Sequence, residues 1–194
     1  MTAGDAPAPA FEHLGDRPVH QGHVWHVVVA RYRAPDGEEF ERDVVRSPGA
    51  VAIVPIEHGA GGEPTVVLIR QYRPPFDELV VELPAGMRDV DDEPPEVTAG
   101  RELKEEVGLR AGRIVELTTY YPSPGMTDST LSLYLGLDLT PVDVARHGPE
   151  ERHLEVLRLP LRDAVEMAEH GEIRNAATVI GLLLAQRALE RHGW

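Results

Sequence analysis

The chain has 194 residues, a formal net charge of −14 at pH 7 and no cysteine. This length suffices for one full domain with a small additional sheet, and the absence of cysteine excludes a disulfide framework, a thiolate metal site and a cysteine nucleophile. The negative charge argues against nucleic acid or an anionic membrane surface as a partner. Because no apolar run of about 18 residues and no signal peptide are found, we expect a soluble, cytoplasmic protein without a membrane partner.

The N-terminal part of the chain predicts a tail followed by a β element. Its first ten residues are rich in Ala, Pro and Gly, which is typical of disorder. Residues 24–33 are rich in β-branched and aromatic residues, Pro35-Asp36-Gly37 is typical of a turn, and residues 39–45 alternate, so a hairpin is predicted. The expected organisation is a disordered tail over 1–16, a β element over 17–46 and the main domain over 47–194.

Two apolar runs then predict buried strands at residues 50–57 and 65–71, joined by the glycine-rich segment 58–64. A glycine run before a helix could cradle a phosphate. Here a strand follows, so the arrangement of a dinucleotide-binding loop is missing and a hairpin loop is predicted.

A helix is predicted over residues 95–107. Pro95 suits a first helical turn, Glu96 favours the positive end of the helix dipole, and Gly108 can cap the far end. At 100° per residue one face of this helix is small and apolar, and the adjacent face is acidic.

The acidic face of this helix, formed by Glu102, Glu105 and Glu106, is unfavourable for stability. Glu102 and Glu106 are like charges at i,i+4, which costs about 0.2–0.5 kcal/mol, and Glu105 and Glu106 lie where the dipole favours cations. Such violations concentrate at functional sites, and clustered carboxylates are the hard oxygen ligands that Mg²⁺ and Mn²⁺ prefer. The alternative is an ordinary solvated acidic face.

The remaining elements complete an α/β pattern without the regular repeat of a doubly wound sheet. Strands are predicted at residues 114–121, 131–138 and 154–159, a loop at 142–152, and helices at 161–170 and 175–191.

The segment from Gly86 to Leu109 resembles the Nudix box, a signature of hydrolases that cleave a nucleoside diphosphate linked to another group. Gly86 is followed by six residues, Glu93, seven residues and Arg101-Glu102-Leu103-Lys104-Glu105-Glu106-Val107-Gly108-Leu109. The chain departs from the pattern once, with six residues where the family has five. The resemblance implies a Nudix fold, an α/β/α sandwich with a mixed sheet, preceded here by a small N-terminal β-hairpin or sheet.

Three further segments resemble the ADP-ribose pyrophosphatase branch of this family. Arg70-Gln71-Tyr72-Arg73-Pro74 precedes Glu82-Leu83-Pro84-Ala85-Gly86, Pro124 lies fifteen residues beyond Leu109, and Asn175 precedes an apolar helix. The resemblance covers residues 44–184 and implies hydrolysis of ADP-ribose to AMP and ribose 5-phosphate. A UDP- or GDP-sugar pyrophosphatase remains an alternative, as does a non-catalytic ADP-ribose sensor.

The resemblance also implies roles for individual residues. Roughly two or three Mg²⁺ ions, or Mn²⁺ in their place, would be held by the Ala85 carbonyl and by Glu102, Glu105 and Glu106, with Arg101 fixing a carboxylate. The catalytic base would be a loop glutamate, Glu151 or its neighbour Glu150. The residues expected at the substrate are Arg73, Arg70, Glu82, Pro124 and Gly125.

Members of this branch are domain-swapped homodimers whose N-terminal hairpins help to bind the adenosine. Residues 17–46 resemble that element. A two-stranded hairpin is only marginally stable by itself in water, which agrees with its being covered by a partner.

Overall fold

The structure is a computed structural model that describes residues 10–59, 62–144 and 151–193. The chain divides into two compact units. The first consists of Met1–Pro48 with Ser123–Ser129, and the second of Gly49–Pro122 with Thr130–Trp194. The sequence-based division at residue 47 did not include the segment 123–129 in the N-terminal element.

The first unit contains an antiparallel three-stranded sheet in the order β1-β2-β3. Its strands are β1 (Glu12–Gln21), β2 (His26–Arg33) and β3 (Glu39–Arg46). The predicted hairpin is therefore confirmed as β2 and β3, and the segment 123–129 attaches to β3 through the backbone hydrogen bond from Val45 to the Met126 carbonyl.

The expected disordered tail over 1–16 is wrong for residues 12–16, which form the first half of β1. β1 is polar and almost fully exposed, so it lacks the alternation that marks a strand. It is held by backbone pairing with β2 and by ion pairs, among them Arg46 with Asp16 at 2.9 Å and Arg33 with Glu12 at 2.6 Å. Partners distant in sequence, which a local pattern cannot reveal, keep this segment in place.

The second unit is built on a seven-stranded sheet with the order β10-β5-β4-β9-β8, to which β6 adds on β5 and β7 on β4. Of its strand pairs only β4 with β9 is parallel, so the sheet is mixed. Its elements are β4 (Ala50–His58), β5 (Pro64–Arg73), β6 (Glu78–Glu82), β7 (Ala85–Met87), α1 (Pro95–Val107), β8 (Leu109–Tyr120), β9 (Leu131–Pro141), β10 (Glu155–Pro160), α2 (Leu161–Glu169) and α3 (Ala176–His192).

Alternate residues of the central strands pack into two separate apolar cores, because successive side chains of a strand point to opposite faces. Val51 and Ile53 of β4 pack with Leu103 of α1, whereas Ala52 and Val54 belong to the core that includes α2 and α3. The second unit is therefore an α/β/α sandwich, as predicted. None of the helices in the described part of the chain has the length and apolarity needed to cross a membrane.

Pairing between β7 and β4 determines which way the loop before α1 faces. The Pro84 carbonyl accepts from the amide of Ile53 at 3.0 Å, and the amide of Arg88 donates to the Gly49 carbonyl at 3.1 Å. In an antiparallel pair the residues alternate between facing the partner strand and facing away. The amide and carbonyl of Ala85 therefore point away from β4.

Candidate functional site

The acidic face of α1 and the start of β7 border a cavity of about 520 Å³ in the second unit. Its wall includes the backbone of Ala85 and Gly86 at the start of β7. Its polar side chains come from β5, β6, α1, the loop between β7 and α1, and the residue before α3. These are Arg73, Glu82, Asp89, Arg101, Glu102, Glu105 and Asn175.

Gly86 lies directly against the carboxylate of Glu102. A Cβ atom at residue 86 would be 2.2 Å from Cδ of Glu102, closer than real atoms approach. The missing side chain therefore allows the helix carboxylate to touch the backbone of β7. This close approach is a physical reason for glycine at the first position of the motif.

Glu106 holds the adjacent backbone from a buried position. Its side chain is 4% exposed, and its Oε2 accepts from the amide of Ala85 at 2.9 Å. Because the amide and carbonyl of one strand residue point to the same side, the Ala85 carbonyl faces the side on which Glu106 lies. Glu102 and Glu105 line the cavity wall, whereas Glu106 does not.

Arg101 joins the carboxylates around the cavity. Its Nη1 donates to Glu102 at 2.8 Å and to Glu105 at 3.4 Å, and its Nη2 lies 3.3 Å from Glu93 and 3.5 Å from Asp89. Within the described ranges no three acidic or histidine side chains stand ready-made as a metal cage. Metal ions would therefore share the carboxylates of Glu102 and Glu105 with the guanidinium of Arg101.

Glu93 fixes the beginning of α1 to Arg101. It accepts a hydrogen bond at 2.8 Å from the hydroxyl of Thr98, a fully buried residue. This bond and the guanidinium of Arg101 hold the pKa of Glu93 below its ordinary value, although partial desolvation opposes the effect. Glu93 thus remains charged at neutral pH and orients Arg101, as expected for a residue at the loop-helix junction.

A second network surrounds Glu82, whose side chain is 6% exposed. Its Oε2 accepts from Nε and Nη2 of Arg73, at 2.9 and 2.6 Å, and from the side-chain amide of Gln71 at 3.0 Å. Its Oε1 accepts from the side-chain amide of Asn175 at 2.9 Å. Glu82 therefore holds Arg73 at the cavity wall.

Other residues expected at the substrate lie elsewhere. Arg70 pairs with Glu155 of the neighbouring strand and does not line this cavity. Pro124 and Gly125 belong to the first unit, where they line a separate cavity of about 450 Å³ together with aromatic residues such as Tyr32 and Phe40.

The two candidate bases, Glu150 and Glu151, precede β10 in the chain. Glu150 lies outside the described residues. Glu151 begins a short 3₁₀ turn, Glu151–His153.

Sequence reasoning missed Asp89, Thr98 and Thr178 as parts of this site. Asp89 lies in the loop of the motif that carries the extra residue, at a position the pattern leaves unspecified, and the two threonines lie within helices, where a threonine is common. The role of a buried hydroxyl is recognised from its hydrogen-bond partner, and the partner of Thr178 is 95 residues away in sequence. No local sequence signal could have found it.

The residues present suit a hard divalent cation. The carboxylates of Glu102 and Glu105 at the cavity and that of Glu106 at the backbone of Ala85 are oxygen donors of the kind that Mg²⁺ and Mn²⁺ bind.

Comparison with known proteins matches the chain to one family model and to several relatives. A family model described as NUDIX domain matches residues 46–179. The ADP-ribose pyrophosphatase of Bacillus subtilis is 32% identical over 168 residues, covering 87% of this chain and 88% of that protein. The ADP-ribose pyrophosphatase of Mycobacterium tuberculosis is 34% identical over 173 residues, covering 89% and 82%.

A solved structure described as an ADP compounds hydrolase superposes with a TM-score of 0.80 at 24% identity, covering 98% of this chain and 99% of that one. At this identity the likeness concerns the fold alone. It confirms the predicted sandwich with an additional N-terminal sheet.

Proposed function

The chain belongs to the NUDIX domain family, and on that basis we propose that it hydrolyses the diphosphate of ADP-ribose to AMP and ribose 5-phosphate. The observation that carries this proposal is one cavity bordered by Glu102, Glu105 and the guanidinium of Arg73. Such a cavity offers both metal ligands and a cation for an anionic diphosphate. The two ADP-ribose pyrophosphatases to which the chain is similar support this substrate.

Divalent metal is the cofactor that these residues would hold. We assign Mg²⁺ or Mn²⁺, roughly two or three ions, to the carboxylates of Glu102, Glu105 and Glu106 and the carbonyl of Ala85. When bound, the ions would neutralise the diphosphate oxygens and make water a stronger nucleophile at neutral pH. Arg101 would keep the carboxylates oriented, because its planar fork of donors already contacts two of them.

Arg73 is assigned to the diphosphate. Two of its three guanidinium nitrogens are held by Glu82, and the third, Nη1, has no hydrogen-bond partner among the described residues. A guanidinium held on one edge keeps its other donors in a defined direction, which suits phosphate binding. Glu82 therefore acts on the substrate through Arg73.

The general base is assigned to Glu151, with Glu150 as the alternative. A carboxylate in the loop ahead of β10 would accept the proton of the attacking water. This assignment is supported by the resemblance to the ADP-ribose pyrophosphatase branch.

We further propose that the protein is a cytoplasmic homodimer, domain-swapped and paired through the N-terminal sheet. Val19 of β1 and Trp25 of the turn between β1 and β2 are each 56% exposed, so the first unit carries apolar surface that a second copy could cover.

A substrate panel tests the proposed reaction. Purified protein with Mg²⁺ would be incubated with ADP-ribose, UDP-glucose or GDP-mannose, and the products separated by ion-exchange chromatography. We expect AMP and ribose 5-phosphate from ADP-ribose at the highest kcat/KM, with complete loss in EDTA and recovery on adding Mg²⁺ or Mn²⁺. A preference for a nucleotide sugar would favour that alternative, and tight ADP-ribose binding without turnover would indicate a sensor.

A further inference from the structure

We propose that the N-terminus of α3 positions both the metal-binding loop and the phosphate-binding guanidinium, with Thr178 and Asn175 as the positioning residues. The proposal rests on the proposed function, because it concerns the same cavity. It assigns a role to a helix that contributes no metal ligand.

Thr178 connects α3 to the loop before β7. The residue is fully buried, and its Oγ1 accepts from the amide of Leu83 at 3.0 Å while donating to Oδ1 of Asn175 at 3.0 Å. Leu83 lies two residues before Ala85. A buried amide without such an acceptor is destabilising, so this bond restricts the conformations available to the loop.

Close packing of the same helix on the same loop is an independent observation. A Cβ atom at Gly181 would be 2.6 Å from Cδ1 of Leu83 and 3.1 Å from Cγ2 of Val54. The glycine therefore permits α3 to lie closer to Leu83 than any other residue would allow. Leu83 is held through its amide by Thr178 and through its side chain by the surface at Gly181.

Three consecutive residues, Leu83 and Pro84 of the loop and Ala85 at the start of β7, are each held by a hydrogen bond to a different element. Thr178 binds the amide of Leu83, Ile53 of β4 binds the carbonyl of Pro84, and Glu106 of α1 binds the amide of Ala85. The direction of the Ala85 carbonyl follows from these bonds. Removing the α3 bond should loosen the loop and weaken its metal binding.

Asn175 connects the N-terminus of α3 to Arg73 through Glu82. Its Oδ1 caps α3 by accepting from the amide of Thr178 at 3.0 Å, and its side-chain amide donates to Glu82 at 2.9 Å. Glu82 in turn binds Arg73 through Oε2. Loss of the Asn175 amide should free Glu82 to rotate and release the guanidinium.

Two measurements separate the effect of Thr178 on the metal-binding loop from the effect of Asn175 on Arg73. Mn²⁺ dissociation constants would be measured by electron paramagnetic resonance without substrate, and KM and kcat with ADP-ribose. Thr178→Val, which keeps the shape but lacks the hydroxyl, should bind Mn²⁺ about 10–100-fold more weakly, the usual effect of losing a residue that orients a ligand. Thr178→Ser, which restores a hydroxyl, should recover most of that affinity.

Asn175→Ser keeps a capping oxygen and loses the donor to Glu82. It should raise KM for ADP-ribose while leaving Mn²⁺ affinity at the wild-type value. Leu189→Ala, which truncates a buried side chain near the far end of α3, is the stability control and should change the melting temperature but neither constant.

The proposal is wrong if folded Thr178→Val, or Thr178→Ala should the valine variant not fold, binds Mn²⁺ as the wild type does. It is also wrong if Leu189→Ala weakens Mn²⁺ binding as much as Thr178→Val does, because the effect would then be general destabilisation. A wild type that binds no Mn²⁺ would likewise contradict it. A wild type that binds Mn²⁺ but does not hydrolyse ADP-ribose would instead refute the proposed function and leave the Mn²⁺ comparison of Thr178 variants valid.

Discussion

Gly86 is a residue at which a single methyl group should disturb metal binding. In Gly86→Ala the added Cβ would meet Glu102 at 2.2 Å, so the carboxylate must move away from the backbone of β7. We expect weaker Mn²⁺ binding and lower turnover with little change in melting temperature, because the side chain of Glu102 can rotate. Gly59→Ala is the control, since its Cβ would meet the Glu63 carbonyl only at an ordinary 3.8 Å. Equal effects in the two variants would contradict this explanation.

For the two arginines of β5, the cavity and the sequence resemblance predict different effects on substrate binding. Both were expected at the substrate, yet Arg73 borders the cavity while Arg70 pairs with Glu155. We expect Arg73→Gln to raise KM for ADP-ribose at least tenfold, because a charge-assisted phosphate contact is worth about 1.5–3 kcal/mol. Arg70→Gln should change KM little. A comparable rise of KM in both variants would indicate that Arg70 also contacts the substrate.

Replacing Glu106 and replacing Glu151 should have different effects on metal affinity and on the pH dependence of turnover. Glu106→Gln keeps an oxygen acceptor for the amide of Ala85 but loses a charge, so metal affinity and turnover should fall together. Glu151→Gln should leave Mn²⁺ affinity intact and lower turnover by about 10²–10⁴, with a smaller loss at higher pH, where hydroxide replaces the missing base.

Turnover against pH and Mn²⁺ titrations on both variants, with Glu150→Gln alongside, decide the assignment of the base. Loss of turnover in Glu150→Gln alone moves the base by one residue. If neither loop variant loses turnover, the base is a carboxylate of the motif such as Glu105.

At the scale of elements, α1 should be stabilised by the ions it binds. Glu102 and Glu106 repel each other at i,i+4, and ions that bind only the folded state add about 2.7 kcal/mol at 100 times their dissociation constant. We expect Mn²⁺ to raise the melting temperature, and the double variant Glu102→Gln with Glu106→Gln to lose the effect. Glu190→Gln, an exposed acidic residue on α3, is the control. An undiminished rise in the double variant would mean that Mn²⁺ binds elsewhere.

The elements also show what local sequence can predict. The helix predicted over 95–107 coincides with Pro95–Val107, because proline and glycine mark its two ends. β4 and β5 were found as buried apolar runs. β6 and β7 were not predicted, because β7 has three residues and β6 begins and ends with a glutamate, and both depend on pairing with strands that precede them.

The same distinction applies to the site. Glu102, Glu105 and Glu106 share one helix face, so spacing alone groups them. The network of Glu82 with Asn175 joins residues 93 apart in sequence and exists only after α3 has packed on the sheet.

At the scale of the whole molecule, net charge and substrate charge have the same sign. A chain of net charge −14 repels an anionic diphosphate at long range. Within the described residues the cations at the cavity wall are Arg73 and Arg101, and Arg101 is already bonded to carboxylates. Bound divalent ions would therefore supply most of the electrostatic attraction beside Arg73, which agrees with an expected strict metal dependence.

The assembly prediction concerns the N-terminal sheet. Val19 of β1 and the turn residues Val24 and Trp25 between β1 and β2 are exposed and are expected to be covered by a second copy, so light scattering should report a dimer. A chain lacking residues 1–46 should be monomeric and unable to hydrolyse ADP-ribose.

Because that truncation also removes the hydrogen-bond partners of the segment 123–129, the point variant Trp25→Glu is the sharper test. A charge placed on an apolar contact surface should dissociate the dimer and leave the fold intact. Phe76→Glu is the matched control, because this aromatic side chain is 73% exposed on the turn between β5 and β6 and lies outside the sheet. A monomeric Trp25→Glu with unchanged turnover would show that each chain works alone, and a dimer that persists would place the interface on another surface.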